Sequence, residues 1–130
     1  MDSPEVIWPC KSAFKKLGQQ DYEEIFLMNS ELLYVFGTGN ATVTNLYNTC
    51  FALRDGDEYF MVDAGGGNGI LKILDNMQVP LERIHHIFVT HAHTDHVLGI
   101  VWMIRMIATK MKKDQYIGDA HIYCHAELIE

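Results

Sequence analysis

From Leu32 onward the chain alternates compact apolar runs with glycine-rich and polar turns. Leu32 to Phe36 reads as a strand running into Gly37-Thr38-Gly39-Asn40. Asn45 to Arg54 reads as a second strand, and the Asp55-Gly56 pair behind it is a strong hairpin signal. Glu58 to Asp63 completes that hairpin and ends in Ala64-Gly65-Gly66-Gly67-Asn68-Gly69. Ile70, Ile73, Leu74 and Met77 then recur at helical spacing, and Pro80 stops the helix. Ile84 to Thr90 is the next strand, Val97 to Lys113 a second helix, and Ala120 to Cys124 a last short strand. Lys110, Lys112 and Lys113 suit the negative end of that second helix. A hairpin followed by strand–helix–strand alternation predicts an α/β fold, a mixed sheet packed against helices.

Residues 1–31 follow a different pattern. Pro4 and Pro9 punctuate them, and Ala13, Phe14 and Leu17 predict a short amphipathic helix near residues 11–18. Lys11, Lys15 and Lys16 read as its solvated face, since acidic Asp21, Glu23 and Glu24 follow at once. The expected organisation is therefore an N-terminal prefix, 1–31, and one folded unit, 32–130.

Composition narrows the chemistry. With 130 residues, 48% apolar and 21% charged, the chain can bury a core and is no disordered tail. Ten basic against seventeen acidic residues leave −7, which disfavours broad attraction to nucleic acid or an anionic membrane. A phosphate-bearing substrate would have to be held by a local site or a metal. Cys10, Cys50 and Cys124 include no C-x-x-C pair, which fits a reducing compartment. The N-terminus lacks a signal-peptide pattern, and the longest apolar run, Val97 to Ala108, is broken by Arg105. A soluble cytoplasmic protein is expected.

Several weak signals resolve into plain structure. The only serines are Ser3, Ser12 and Ser30, so no G-x-S-x-G nucleophile exists. Gly37 to Thr42 lacks the third glycine of a dinucleotide fingerprint and reads as a tight turn. Gly65 to Gly69 matches neither nucleotide motif and reads as a strand-to-helix turn with close backbone packing. Cys124 and His125 are neighbours on a strand and so point apart. Met103, Met106 and Met111 read as core filler on the second helix.

Residues 91–96, His91-Ala92-His93-Thr94-Asp95-His96, are different in kind. A solvated polar loop is the bland account, but the order and spacing suit a metal centre. At the end of an extended strand His91 and His93 project to one side, and Asp95 and His96 follow as the chain turns into a helix. Mixed nitrogen and oxygen donors suit zinc, or manganese or iron. Two ions about 3.5–4 Å apart would let a hydroxide attack while both stabilise developing charge. Ala92 and Gly99 leave room for such crowding, and Asp63 is placed to orient the histidine loop, though a simple turn aspartate is an equal reading.

This motif, preceded by Ile87-Phe88-Val89-Thr90, resembles the H-x-H-x-D-H signature of the metallo-β-lactamase-fold superfamily. Asp63-Ala64-Gly65 is similar to that superfamily's aspartate–glycine turn. Phe36-Gly37-Thr38-Gly39-Asn40-Ala41 and His96-x-x-Gly99 are similar to the ribonuclease Z-like branch. The resemblance spans roughly residues 32–130. It implies an αβ/βα sandwich with two divalent metal ions, one on His91 and His93 and the other on Asp95 and His96, with Asp95 also handling a proton. It implies hydrolysis by a metal-activated water, of phosphodiesters such as RNA ends or, elsewhere in the superfamily, of thioesters, lactones or sulfate esters.

The superfamily fold is built of two similar halves, and residues 32–130 correspond to the first. The later ligands of the resemblance, two histidines and a bridging aspartate, have no counterparts here. His121 and His125 come too early and read as a polar face of the last strand. Val97 to Ile107 is apolar nearly all round, so that helix needs cover on more than one side. The expected partner is a C-terminal half or a second copy of the chain. A non-catalytic half-domain that dimerises is the alternative to the hydrolase.

Overall fold

The computed structural model describes residues 31–129, and the expected helix near 11–18 lies outside them. Five strands form one mixed sheet in the order β1 (Leu32–Gly37), β2 (Cys50–Asp55), β3 (Glu58–Val62), β4 (Ile84–Phe88), β5 (His121–Tyr123). β1, β2 and β3 run antiparallel, and β3, β4 and β5 run parallel. Helix α1 (Gly69–Asn76) connects β3 to β4, and α2 (Thr94–Met111) connects β4 to β5. Parallel neighbours need such crossovers, and the two-residue hairpin loop of Gly56 and Asp57 between β2 and β3 needs none. Short 3₁₀ turns at Leu81–Arg83 and Ala126–Leu128 complete the path.

The sheet has two unlike faces. On one, Ala52, Met61 and Ile87 stand side by side and pack against Ile70 and Leu74 of α1 and Ile100, Met103 and Ile107 of α2. On the other, the registers draw two rows across all five strands. One row is Leu33, Leu53, Phe60, His86, His121, and the other is Val35, Phe51, Val62, Phe88, Tyr123. Leu33 is 60% and Val35 47% exposed. Leu33, Val35 and Phe51 also line a groove of about 240 Å³. A sheet apolar on both faces is the pattern of a layer meant for cover on both sides. The described residues supply helices to one face only, which is half of an αβ/βα sandwich.

Helix α2 repeats the asymmetry. Ile100, Met103 and Ile107 are buried, while Leu98, Val101, Trp102 and Ile104 are exposed, and Arg105 lies over the Trp102 ring at 6.0 Å. Met111 is exposed too, so it is not the core filler expected of it. Lys110 instead anchors the end of α2, its Nζ donating to Glu82 Oε1 at 2.5 Å.

Element boundaries shift for identifiable reasons. β2 begins at Cys50, five residues later than Asn45, because Tyr47 and Asn48 leave the sheet to grip the glycine-rich loop. β4 ends at Phe88, and α2 begins three residues before Val97. β5 ends at Tyr123, so His125 does not share a strand face with His121; it caps the following 3₁₀ turn. Cys50 is fully buried, and that burial, with the nearby Asp63 charge, pushes its thiol up to about 12.

Candidate metal centre

The site is built where three segments meet. β3 runs out into Asp63, whose φ of 56° turns the chain sharply into Ala64 and Gly65. The segment just past β4 delivers Thr90 and His91, and the start of α2 delivers Asp95 and His96. Asp63 N donates to Phe88 O at 2.8 Å, so the two parallel strand ends stay level as they enter the site. His91 and His93 do not meet by strand alternation, since β4 has already ended and His93 caps α2. The turn brings them together instead: His91 Nε2 lies 3.1 Å from His93 Nδ1.

Asp63 is the hub. It is 4% exposed, and its Oδ1 accepts the Thr90 backbone N–H at 2.8 Å. Its Oδ2 accepts from Thr90 Oγ1 at 2.7 Å and from His96 Nδ1 at 2.7 Å. A carboxylate only accepts, so the neutral His96 ring carries its proton on Nδ1 and leaves a lone pair on Nε2. Thr90 has one hydroxyl proton, and it is committed to Asp63. Its oxygen therefore accepts from His91 Nδ1 at 2.9 Å, which leaves the lone pair of His91 on Nε2 as well. One buried carboxylate thus fixes two imidazoles, one directly and one through a hydroxyl.

Two donor pairs stand at the edge of this network, His91 with His93 exposed and Asp95 with His96 half-buried. His91 Nε2 faces His93 Nδ1 at 3.1 Å, and His96 Nε2 faces Asp95 Oδ2 at 3.3 Å. Two ligands of one tetrahedral zinc ion stand about 3.3 Å apart, so both separations suit a shared cation. The His91 and His96 ring centroids are 4.1 Å apart, which makes the two pairs neighbours. No three His, Cys, Asp or Glu side chains among the described residues close around a single point. The residues therefore fit a metal centre as two half-sets of two donors each, open on the remaining side.

Thr90 is a participant that spacing alone did not single out. Its signal is a hydroxyl interrupting the apolar run that leads to His91. Gly99 takes a different part from the one expected. A methyl group there would collide with the Ala64 carbonyl, so the glycine lets α2 lie against the Ala64–Gly65 backbone. Ala64 N donates to His96 O at 3.2 Å and Gly99 N to Gly65 O at 2.8 Å, which secures that contact. The glycine-rich loop is close backbone packing, as its sequence predicts: side chains on Gly65 or Gly69 would strike the Tyr47 ring.

Residues 32–130 match the family model described as Anti-Pycsar protein Apyc1. Ribonuclease Z of Phocaeicola vulgatus is 28% identical over 97 residues, covering 74% of this chain and 29% of that protein. Ribonuclease Z of Thermococcus sibiricus is 36% identical over 83 residues, covering 62% of this chain and 26% of that protein. The chain therefore spans less than a third of these curated relatives. Among solved structures, the metallo-β-lactamase fold protein YhfI from Bacillus subtilis superposes with a TM-score of 0.61 and 23% identity, over 72% of this chain and 37% of that one. The short form of human tRNase Z does so with a TM-score of 0.51 and 23% identity, over 72% of this chain and 43% of that one. At those identities the likeness is one of fold, and the fold is metallo-β-lactamase-like.

Proposed function

The chain belongs to the family of the anti-Pycsar protein Apyc1, and from that premise we propose that it supplies the metal-binding half of a phosphodiester hydrolase. The observation that carries this reading is the pair of outward-facing donor sets, His91 with His93 and Asp95 with His96, both referred back to the buried Asp63. Ribonuclease Z among the relatives supports a phosphodiester, RNA-like substrate over the thioesters, lactones and sulfate esters that the fold also accommodates.

Each residue has a definable task in that reaction. His91 and His93 would hold one divalent ion, zinc or else manganese or iron, and Asp95 and His96 a second. Ions held there would supply the chemistry of a water made more acidic and of charge neutralisation at a phosphoryl group. Asp63 and Thr90 keep both imidazole lone pairs aimed outward, so no proton has to be displaced from Nε2 of His91 or His96. Asp95, half-buried at the start of α2, is the group placed to accept the proton of the attacking water and return it to the leaving oxygen.

The ligands that complete each half-set would come from a second body covering the open sheet face and the outer side of α2. A C-terminal half of the same sandwich or a second copy of the chain would serve. The acidic charge of −7 places no broad nucleic-acid patch on this half, so substrate grip falls to the metals and to that second body. No described helix is long and apolar enough to cross a membrane, and we assign the protein to the cytoplasm on its free cysteines.

Metal analysis of the purified chain with His91→Ala and Asp95→Ala as controls tests the centre. Zinc, manganese or iron above the controls is the expected result, and none above them would sink the reading. The second reading, a non-catalytic half-domain that dimerises, is favoured by the two exposed apolar surfaces. Cleavage of bis-p-nitrophenyl phosphate would refute its non-catalytic part, and a monomer in micromolar sedimentation would refute the dimer.

A further inference from the structure

On the far side of the glycine-rich loop from the histidines stand two residues that the reading above gives no task. Tyr47 and Asn48 interrupt what would otherwise be the first turn of β2. The Tyr47 hydroxyl lies 2.9 Å from Ala64 O and 2.8 Å from Gly67 O, donating its one proton between them. Asn48 Oδ1 accepts from Gly66 N at 3.1 Å, and its Nδ2 donates to Asn40 O at 2.9 Å. That second bond ties the Asn48 side chain to a turn that is itself closed by Gly39 N donating to Tyr47 O at 2.8 Å and Thr49 N donating to Gly39 O at 2.9 Å.

The same loop, on its other side, carries the beginning of α2. Ala64 and Gly65 bond the backbone of His96 and Gly99, and Gly66 is pressed between Asn48 and Asp95. A methyl on Gly66 would stand 2.6 Å from Asn48 Oδ1 and 3.6 Å from Asp95 Cα. Segment 64–67 is therefore a spacer gripped by Tyr47 and Asn48 on one side and by the residues that present Asp95 and His96 on the other. Burial raises the Tyr47 hydroxyl above the usual phenol range, so it stays a proton donor throughout neutral pH.

We propose that Tyr47 and Asn48 are positioning residues of the metal centre, a brace that sets where Asp95 and His96 stand through the 64–67 backbone. The inference rests on the metal reading of the cluster for its functional sense, and on the hydrogen bonds alone for its structural sense. Displacing a donor by a few tenths of an ångström is enough to spoil a paired site whose ligands must meet one ion. A partner bonded directly to a ligand is typically worth 10- to 100-fold in metal affinity, and the brace acts one backbone segment further out, so a loss of about threefold to tenfold is expected.

The test uses the full chain with Tyr47→Phe, which keeps the ring against Gly65 and Gly69, and Asn48→Leu, which keeps the branching and removes both polar atoms. Ile84→Val, a buried methyl deletion at the opposite end of β4, controls for loss of stability alone. Two quantities are measured: affinity for Zn2+ and Co2+ by chelator competition, and the His96 Nδ1–H proton resonance of the metal-free chain. The expected result is a loss of affinity of about threefold to tenfold and a moved His96 resonance in Tyr47→Phe and Asn48→Leu, with neither change in Ile84→Val. Unchanged affinity and resonance in both brace variants would overturn the proposal, as would an affinity loss no greater than that of Ile84→Val. A wild-type chain that binds neither ion while the resonance still moves would refute the metal reading and leave the brace standing. Neither binding nor movement would refute both.

Discussion

The carboxylate of Asp63 and the imidazole of His96 stand thirty-three residues apart in the chain and 2.7 Å apart in space. That bond fixes which ring nitrogen of His96 is free, and it is made by a residue held at a φ of 56°. Replacing Asp63 with Ala leaves Thr90 N, Thr90 Oγ1 and His96 Nδ1 without their buried acceptor. A loss of about 1–3 kcal/mol in urea unfolding is expected. Zn2+ affinity should fall 10- to 100-fold by chelator competition.

Thr90 transmits the same carboxylate to His91. Thr90→Val keeps the shape and removes the hydroxyl that His91 Nδ1 donates to. His91 is then free to carry its proton on either nitrogen, so metal affinity should drop about tenfold or more. Thr90→Ser restores the hydroxyl and should restore affinity. Equal affinity in wild type and Thr90→Val would mean that His91 needs no orienting partner.

Gly99 tests the seating of α2. A side chain there meets the Ala64 carbonyl, and backbone cannot move aside cheaply. Gly99→Ala should cost about 1–3 kcal/mol despite the better helix propensity of alanine. Thermal unfolding should fall by roughly 5–15 °C. A stabilised variant would show that the helix can slide.

Glu82 makes an acid-side prediction. The Lys110 ammonium that donates to it holds its carboxyl below the ordinary range. Its folded value is thus lower than its unfolded one, so the pair stabilises fully at neutral pH and loses that effect as pH falls through the folded value. Both side chains are partly exposed, so Glu82→Gln should cost less than about 1 kcal/mol at pH 7. Urea titrations at pH 7 and pH 3 should show the difference between wild type and variant shrinking at the lower pH.

Much of this molecule is legible in its sequence because the signals are local. The Asp55-Gly56 hairpin, the period of Ile70, Ile73 and Leu74, the stop at Pro80 and the spacing of His91, His93, Asp95 and His96 each depend on a few neighbouring residues. The all-round apolar character of α2 is equally readable, and it corresponds to a helix buried on one side and bare on the other.

What the sequence determined by itself is the order of elements and the local histidine–aspartate motif at 91–96, since periodicity and short motifs are fixed by backbone geometry. The tertiary structure decided which residues stand behind those donors. Thr90, Tyr47 and Asn48 act across 17 to 27 residues of chain, and beyond the hydroxyl that breaks the apolar run at Thr90 nothing in their immediate neighbours marks them. It also decided the meaning of Gly99, which leaves room for a carbonyl and not for a metal. Such contacts exist only once a strand end, a glycine turn and a helix start have been brought to one place, because hydrogen bonds act over about 3 Å of space regardless of distance along the chain.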